Sequence, residues 1–82
     1  MCYKVFVMTD VKEIFGERLR GLRKEEELSQ EEISKKAGLD RTYVGKIERG
    51  EKSPSLETIE KLAISLNTEM KELFDFKNCK EE

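Results

Sequence analysis

Eighty-two residues allow one domain with a modest core, and a domain of that size commonly takes part of its stability from a second copy. Charged residues make up 41% of the chain, yet 16 basic and 18 acidic side chains leave a net charge of only -2, so no global field draws it to a polyanion. The absence of histidine excludes histidine general-base catalysis and histidine-ligated zinc, and Cys2 and Cys79 fit neither a disulfide framework nor a metal spacing.

Residues 1–9 read as an extension ahead of the domain. Their MCYKVFVM run is apolar and β-prone, and is either a strand that pairs with its copy or a tail before Met8-Thr9-Asp10. It is too short for export or anchoring, and no stretch reaches the roughly 18 apolar residues of a membrane span, so the expected compartment is the cytoplasm. From about Asp10 the pattern turns helical, with Val11, Ile14, Phe15, Leu19 and Leu22 on one stripe. This helix runs into Glu25-Glu26-Glu27, three acids that oppose the helix dipole, and fraying is expected there.

Residues 28–50, LSQEEISKKAGLDRTYVGKIERG, carry two helix starts and a stop. Ser29 is an N-cap with Glu32 as its capping-box partner, and Leu28 is placed to staple onto Ile33. Gly38 can take the left-handed conformation that ends a helix, and Ala37 before it is small enough to admit a crossing neighbour. Asp40 then caps a second helix, with Leu39 placed to staple onto Val44. Two capped helices so closely joined cannot stay collinear, which predicts the steep crossing of a helix-turn-helix.

On the second helix Val44 and Ile47 must point inward, which turns Thr42, Gly45, Lys46 and Arg49 outward, with Arg41 and Tyr43 flanking that side. A fork donor, a hydroxyl with a methyl, and an amphipathic ring can read base edges in a major groove while nearby donors hold phosphates. Surface lysines and arginines usually mark no more than a solvated face; here the face is joined to a turn of the right length. Between positions 41 and 52 four basic residues face only Glu48 and Glu51, whereas residues 67–82 hold three lysines against five acids. A basic patch on an acidic body suggests a site-selective binder rather than a coating protein.

After Gly50 the segment Glu51-Lys52-Ser53-Pro54 reads as a turn, and Ser55 caps a helix whose core positions are Leu56, Ile59, Leu62, Ala63 and Leu66. Asn67 is an αL stop, Thr68 can cap again, and a last helix from Glu69 sets Met70, Leu73 and Phe74 on one side with Phe76 beyond. The expected fold is all-α: five short helices around one core over residues 10–76, followed by a polar tail at 77–82.

These residues resemble the DNA-binding domains of Cro and phage-repressor type, the lambda-repressor-like fold, over roughly positions 15–76. The resemblance is carried by FGERLRGLR, LSQEEISKKAGL, the TYVGKIERGEKSPSLETIEKLA run and the LN pair. DRTY followed by IERG looks most like the controller proteins of restriction-modification systems. The resemblance implies that Gln30 contacts a phosphate and that Arg41, Thr42 and Tyr43 reach bases and adjoining backbone. It also implies that Lys46 and Lys52 meet bases or phosphates, and that Arg23 pairs with Glu48 to hold the motif. Gly45 departs from the serine or other polar residue that relatives often carry, at a helix cost of about 0.5–1 kcal/mol relative to alanine. The base position beneath it is then expected to go unread, which places specificity on Arg41 and on DNA shape.

The resulting expectation is a sequence-specific transcriptional regulator, a repressor or controller, binding a palindromic double-stranded operator as a homodimer. Its DNA-contacting residues would be Gln30, Arg41, Thr42, Tyr43, Lys46, Arg49 and Lys52, and its dimer contacts Met70, Leu73, Phe74 and Phe76. No cofactor, metal, small-molecule substrate or membrane partner is expected. The alternative is an antitoxin-like or adaptor module that uses the same fold to hold a protein. Catalysis is the weakest reading, because no glycine-rich phosphate loop or paired acids stand apart from helix caps.

Overall fold

The structure is a computed structural model, described here for residues 10–76; residues 1–9 and 77–82, with the expected N-terminal extension and polar tail, lie outside the described residues. Four α-helices follow in order: α1 Val11–Glu25, α2 Gln30–Ala37, α3 Arg41–Glu48 and α4 Leu56–Ser65. A 3-10 helix, Met70–Phe74, closes the fold. The described residues contain no strand.

Each of the four α-helices starts on a short polar side-chain cap, the reason they begin abruptly. Asp10 caps α1, Asp40 caps α3 and Ser55 caps α4. At α2 the capping box is complete, with Glu32 N–H donating to Ser29 Oγ at 3.0 Å and Ser29 N–H to Glu32 Oε1 at 2.8 Å. Gly38 ends α2 at φ 70°, and Leu39 N–H reaches back to the Ser34 carbonyl at 2.8 Å. Asn67 ends α4 the same way, at φ 59°.

The core takes a large side chain from every element: Leu19 of α1, Ile33 of α2, Val44 and Ile47 of α3, Leu62 of α4 and Leu73 of the 3-10 helix are all fully buried. Burying a side chain of this size contributes about 1.5–3 kcal/mol, and Phe15, Ile59 and Leu66 are buried nearly as deeply beside them. α3 lies between α1 and α2, while α4 and the 3-10 helix close the other side, α4 against α2 and the 3-10 helix against α1. The α1–α3 crossing is close because Gly16 has no side chain: a Cβ there would stand 2.5 Å from the carbonyl oxygens of Ile47 and Glu48.

Several expectations need correction. Val11 and Leu56 lie on the apolar stripes of α1 and α4, yet both are the first residue of their helix and are 60% and 74% exposed. Periodicity assigns a face but not a depth, and the first turn lies at the edge of the packed region. At the end of α1 Glu27 takes the left-handed region at φ 59°, and Leu28 N–H donates to the Arg23 carbonyl at 3.1 Å, a closure the three acids did not suggest. The last element is a 3-10 helix that starts at Met70, so the cap position falls on Glu69, which makes no side-chain cap bond, while the Thr68 backbone N–H closes α4 on the Ala63 carbonyl at 3.0 Å. Leu73 is core rather than dimer surface, while Phe74 remains partly exposed, stacked against Phe15 at 5.3 Å.

Candidate nucleic-acid interface

The site is the outward side of α3, and its placement depends on one buried polar junction. Arg23 of α1 and Glu48 at the end of α3 are only 8% and 9% exposed. Their pairing is bidentate, with Arg23 Nε donating to Glu48 Oε2 at 2.6 Å and Nη2 to Oε1 at 3.0 Å. The remaining Arg23 Nη1 donates to the Leu28 carbonyl at 2.9 Å. Gln30 of α2 adds a third bond to the same carboxylate, Nε2 to Glu48 Oε1 at 2.9 Å. One carboxylate thus ties α1, α2 and α3 together with its lone pairs well used, the condition under which a buried charge is tolerated.

On the far side of α3 the side chains face solvent. Arg41 and Thr42 are exposed on the first turn, with Asp40 Oδ2 accepting the Thr42 backbone N–H at 3.1 Å. Arg41 Nη1 lies 4.0 Å from Glu31 Oε1, and both side chains are more than half exposed, so the contact is weak and easily exchanged. Tyr43 is half-buried, its ring packed on the core. Lys46 is half-buried and Lys52 exposed, and neither has an ion-pair partner among the described residues. Arg49 and Glu51 form an exposed pair, Nε to Oε2 at 2.9 Å. The hydrogen bond with Glu51 holds the Arg49 guanidinium above its ordinary pKa, and the same bond holds the Glu51 carboxyl below its own.

Gly45 is not an open position on this surface. It is covered by its neighbours, and a Cβ would come 3.2 Å from Arg49 Nη1 and 3.5 Å from Gln30 Oε1. The bare position spares the Arg49 guanidinium a tight contact, while Gln30 would meet a Cβ at ordinary contact distance. The structure therefore places Arg41, Thr42, Arg49 and Lys52 on the solvent side, Tyr43 and Lys46 at its margin, and Gln30 between it and the buried junction. Sequence reasoning missed the Gln30 bond to Glu48, the Glu51 partner of Arg49 and the role of Gly16. Only the spacing of Arg49 and Glu51 could have been noticed beforehand, since the other two depend on how the helices cross.

An exposed, cationic second helix rigidly joined to its partner by a short glycine turn is the arrangement of a helix-turn-helix, and the helix-turn-helix family model matches residues 19–73. The chain belongs to that family. Within the family it is 41% identical over 73 residues to control protein C.SmaI from Serratia marcescens, covering 89% of this chain and 87% of that one. The crystal structure of the restriction-modification controller protein C.AhdI from Aeromonas hydrophila superposes with a TM-score of 0.77 at 50% identity, covering 78% of this chain and 97% of that one. SinR, a master regulator for biofilm formation solved in complex with DNA, superposes with a TM-score of 0.71 at 34% identity, over 74% of this chain and 98% of that one. This helix-turn-helix protein is a DNA-binding transcriptional regulator homologous to the restriction-modification controllers. No helix among the described residues is long and apolar enough to cross a membrane.

Proposed function

We propose that the chain acts as the controller protein of a restriction-modification system, binding a palindromic operator as a homodimer with α3 of each subunit in successive major grooves. The half-sites would lie about 34–36 Å apart, one helical turn of DNA. The observation that carries this reading is the capped first turn of α3, where Arg41 and Thr42 stand in solvent while Val44 and Ile47 are fully buried behind them. Arg41 reads a base, with guanine O6 and N7 as the matching acceptors, and Thr42 and Tyr43 meet adjoining base and backbone. Lys46, Arg49 and Lys52 hold phosphates. Gln30 reaches a phosphate with the amide hydrogen that Glu48 leaves unused, so the buried carboxylate orients it.

The dimer contact is built from Met70, Phe74 and Phe76 together with Ile64, which is strongly exposed on α4. Leu73 supports that surface from the core. The protein is a binding protein rather than an enzyme, and it operates in the cytoplasm with its DNA. Selection of bound sites from random DNA tests the reading: a two-fold symmetric site with one-turn spacing is expected. A strong asymmetric site, or no enrichment, would overturn the homodimer model.

A further inference from the structure

On the face that meets DNA in the reading above, one cation is already held by its own chain. Arg49 caps the C-terminus of α3, and Glu51 stands two residues on in the following turn. The guanidinium engages both oxygens of that carboxylate, Nε to Oε2 at 2.9 Å and Nη2 to Oε1 at 3.4 Å. This edge-on fork is the geometry by which arginine grips a phosphate, and one edge cannot serve two anions at once. The guanidinium is folded back across Gly45, which leaves it space because it carries no side chain. Both partners are more than half exposed, so water screens the pair and the exchange is cheap.

From this geometry we infer that Glu51 is an internal competitor for the DNA backbone, occupying the phosphate-binding edge of Arg49 until a phosphate displaces it. The inference rests on the DNA-binding reading above and adds a determinant of affinity to it. Glu51 acts on phosphate attraction, so it sets the general hold on DNA and leaves the choice of base to Arg41.

A double-mutant cycle tests it, with wild type, Glu51→Gln, Arg49→Ala and the double variant titrated against one random-sequence duplex at low salt. Melting curves confirm that each variant is folded. Glu51→Gln is expected to tighten binding about one and a half to fivefold per subunit, the range of an exposed ion pair, and most of that gain should vanish once Arg49 is alanine. An equal gain in both backgrounds would make Glu51 a simple repulsive charge and overturn the competitor role. No gain at all, with wild type binding normally, would overturn it while leaving DNA binding intact. Failure of wild type to bind any duplex would overturn both.

Discussion

Two of the arginine–glutamate pairs among the described residues involve the last turn of α3, one buried and the other more than half exposed. Arg23–Glu48 is buried, joined by Gln30 and the Leu28 carbonyl, and can exchange with nothing. Arg49–Glu51 stands in water and can exchange with any anion. The same chemistry therefore fixes the position of the helix on one side and leaves its surface adjustable on the other. Burial, rather than residue type, separates the part that holds α3 from the part that uses it.

The comparison breaks most visibly at the buried pair. Glu48→Ala leaves the Arg23 guanidinium uncompensated in the core and is expected to cost about 3–5 kcal/mol in urea unfolding. A cost comparable to that of Arg49→Ala, which should barely move the melting temperature, would erase the distinction. Gly16→Ala attacks the same junction through the backbone, since the new methyl must push α3 away from α1. It should destabilise by about 1–3 kcal/mol. Full stability in that variant would show that α3 yields the space the methyl needs without cost.

On the exposed side the effects should appear in binding alone. Arg41→Ala is expected to weaken the selected site by about 1–3 kcal/mol and relax preference at one base pair, with an unchanged melting curve. Lys52→Ala should weaken all duplexes alike and make the log-log salt slope shallower by about 0.9 per subunit. An unchanged slope would remove Lys52 from the phosphate contacts. The smallest effect concerns Glu27, whose left-handed backbone suits glycine better. Glu27→Gly should stabilise the fold by a few tenths to about 1 kcal/mol, and a loss of stability would show that the glutamate side chain compensates its backbone.

Much of this was legible in advance, because helix starts and stops are local chemistry. Ser29, Asp40, Ser55, Gly38 and Asn67 each act through groups within a few residues, and the structure uses all of them at the expected positions. Depth was not legible: Val11 and Leu56 share a face with buried neighbours and are nonetheless exposed, while Leu73, expected at a dimer surface, is core. Whether a residue is covered depends on where other helices end. The outward set on α3 followed from the inward set, but its partners did not. The bond from Gln30 to Glu48 spans 18 positions, and a side chain at position 45 would press on the Arg49 guanidinium, a contact visible only once the helix is built.

The junction at Glu48 also determines how this protein can be re-engineered. An excised peptide of residues 28–50 would keep its caps but leave behind the guanidinium of Arg23, which lies outside it. Such a fragment grafted onto a foreign scaffold should lose its angle of presentation. Residues 41 and 42, by contrast, touch none of that internal wiring. Retargeting to new DNA should therefore proceed by rewriting those two letters in place, with the rest of the chain kept as the chassis.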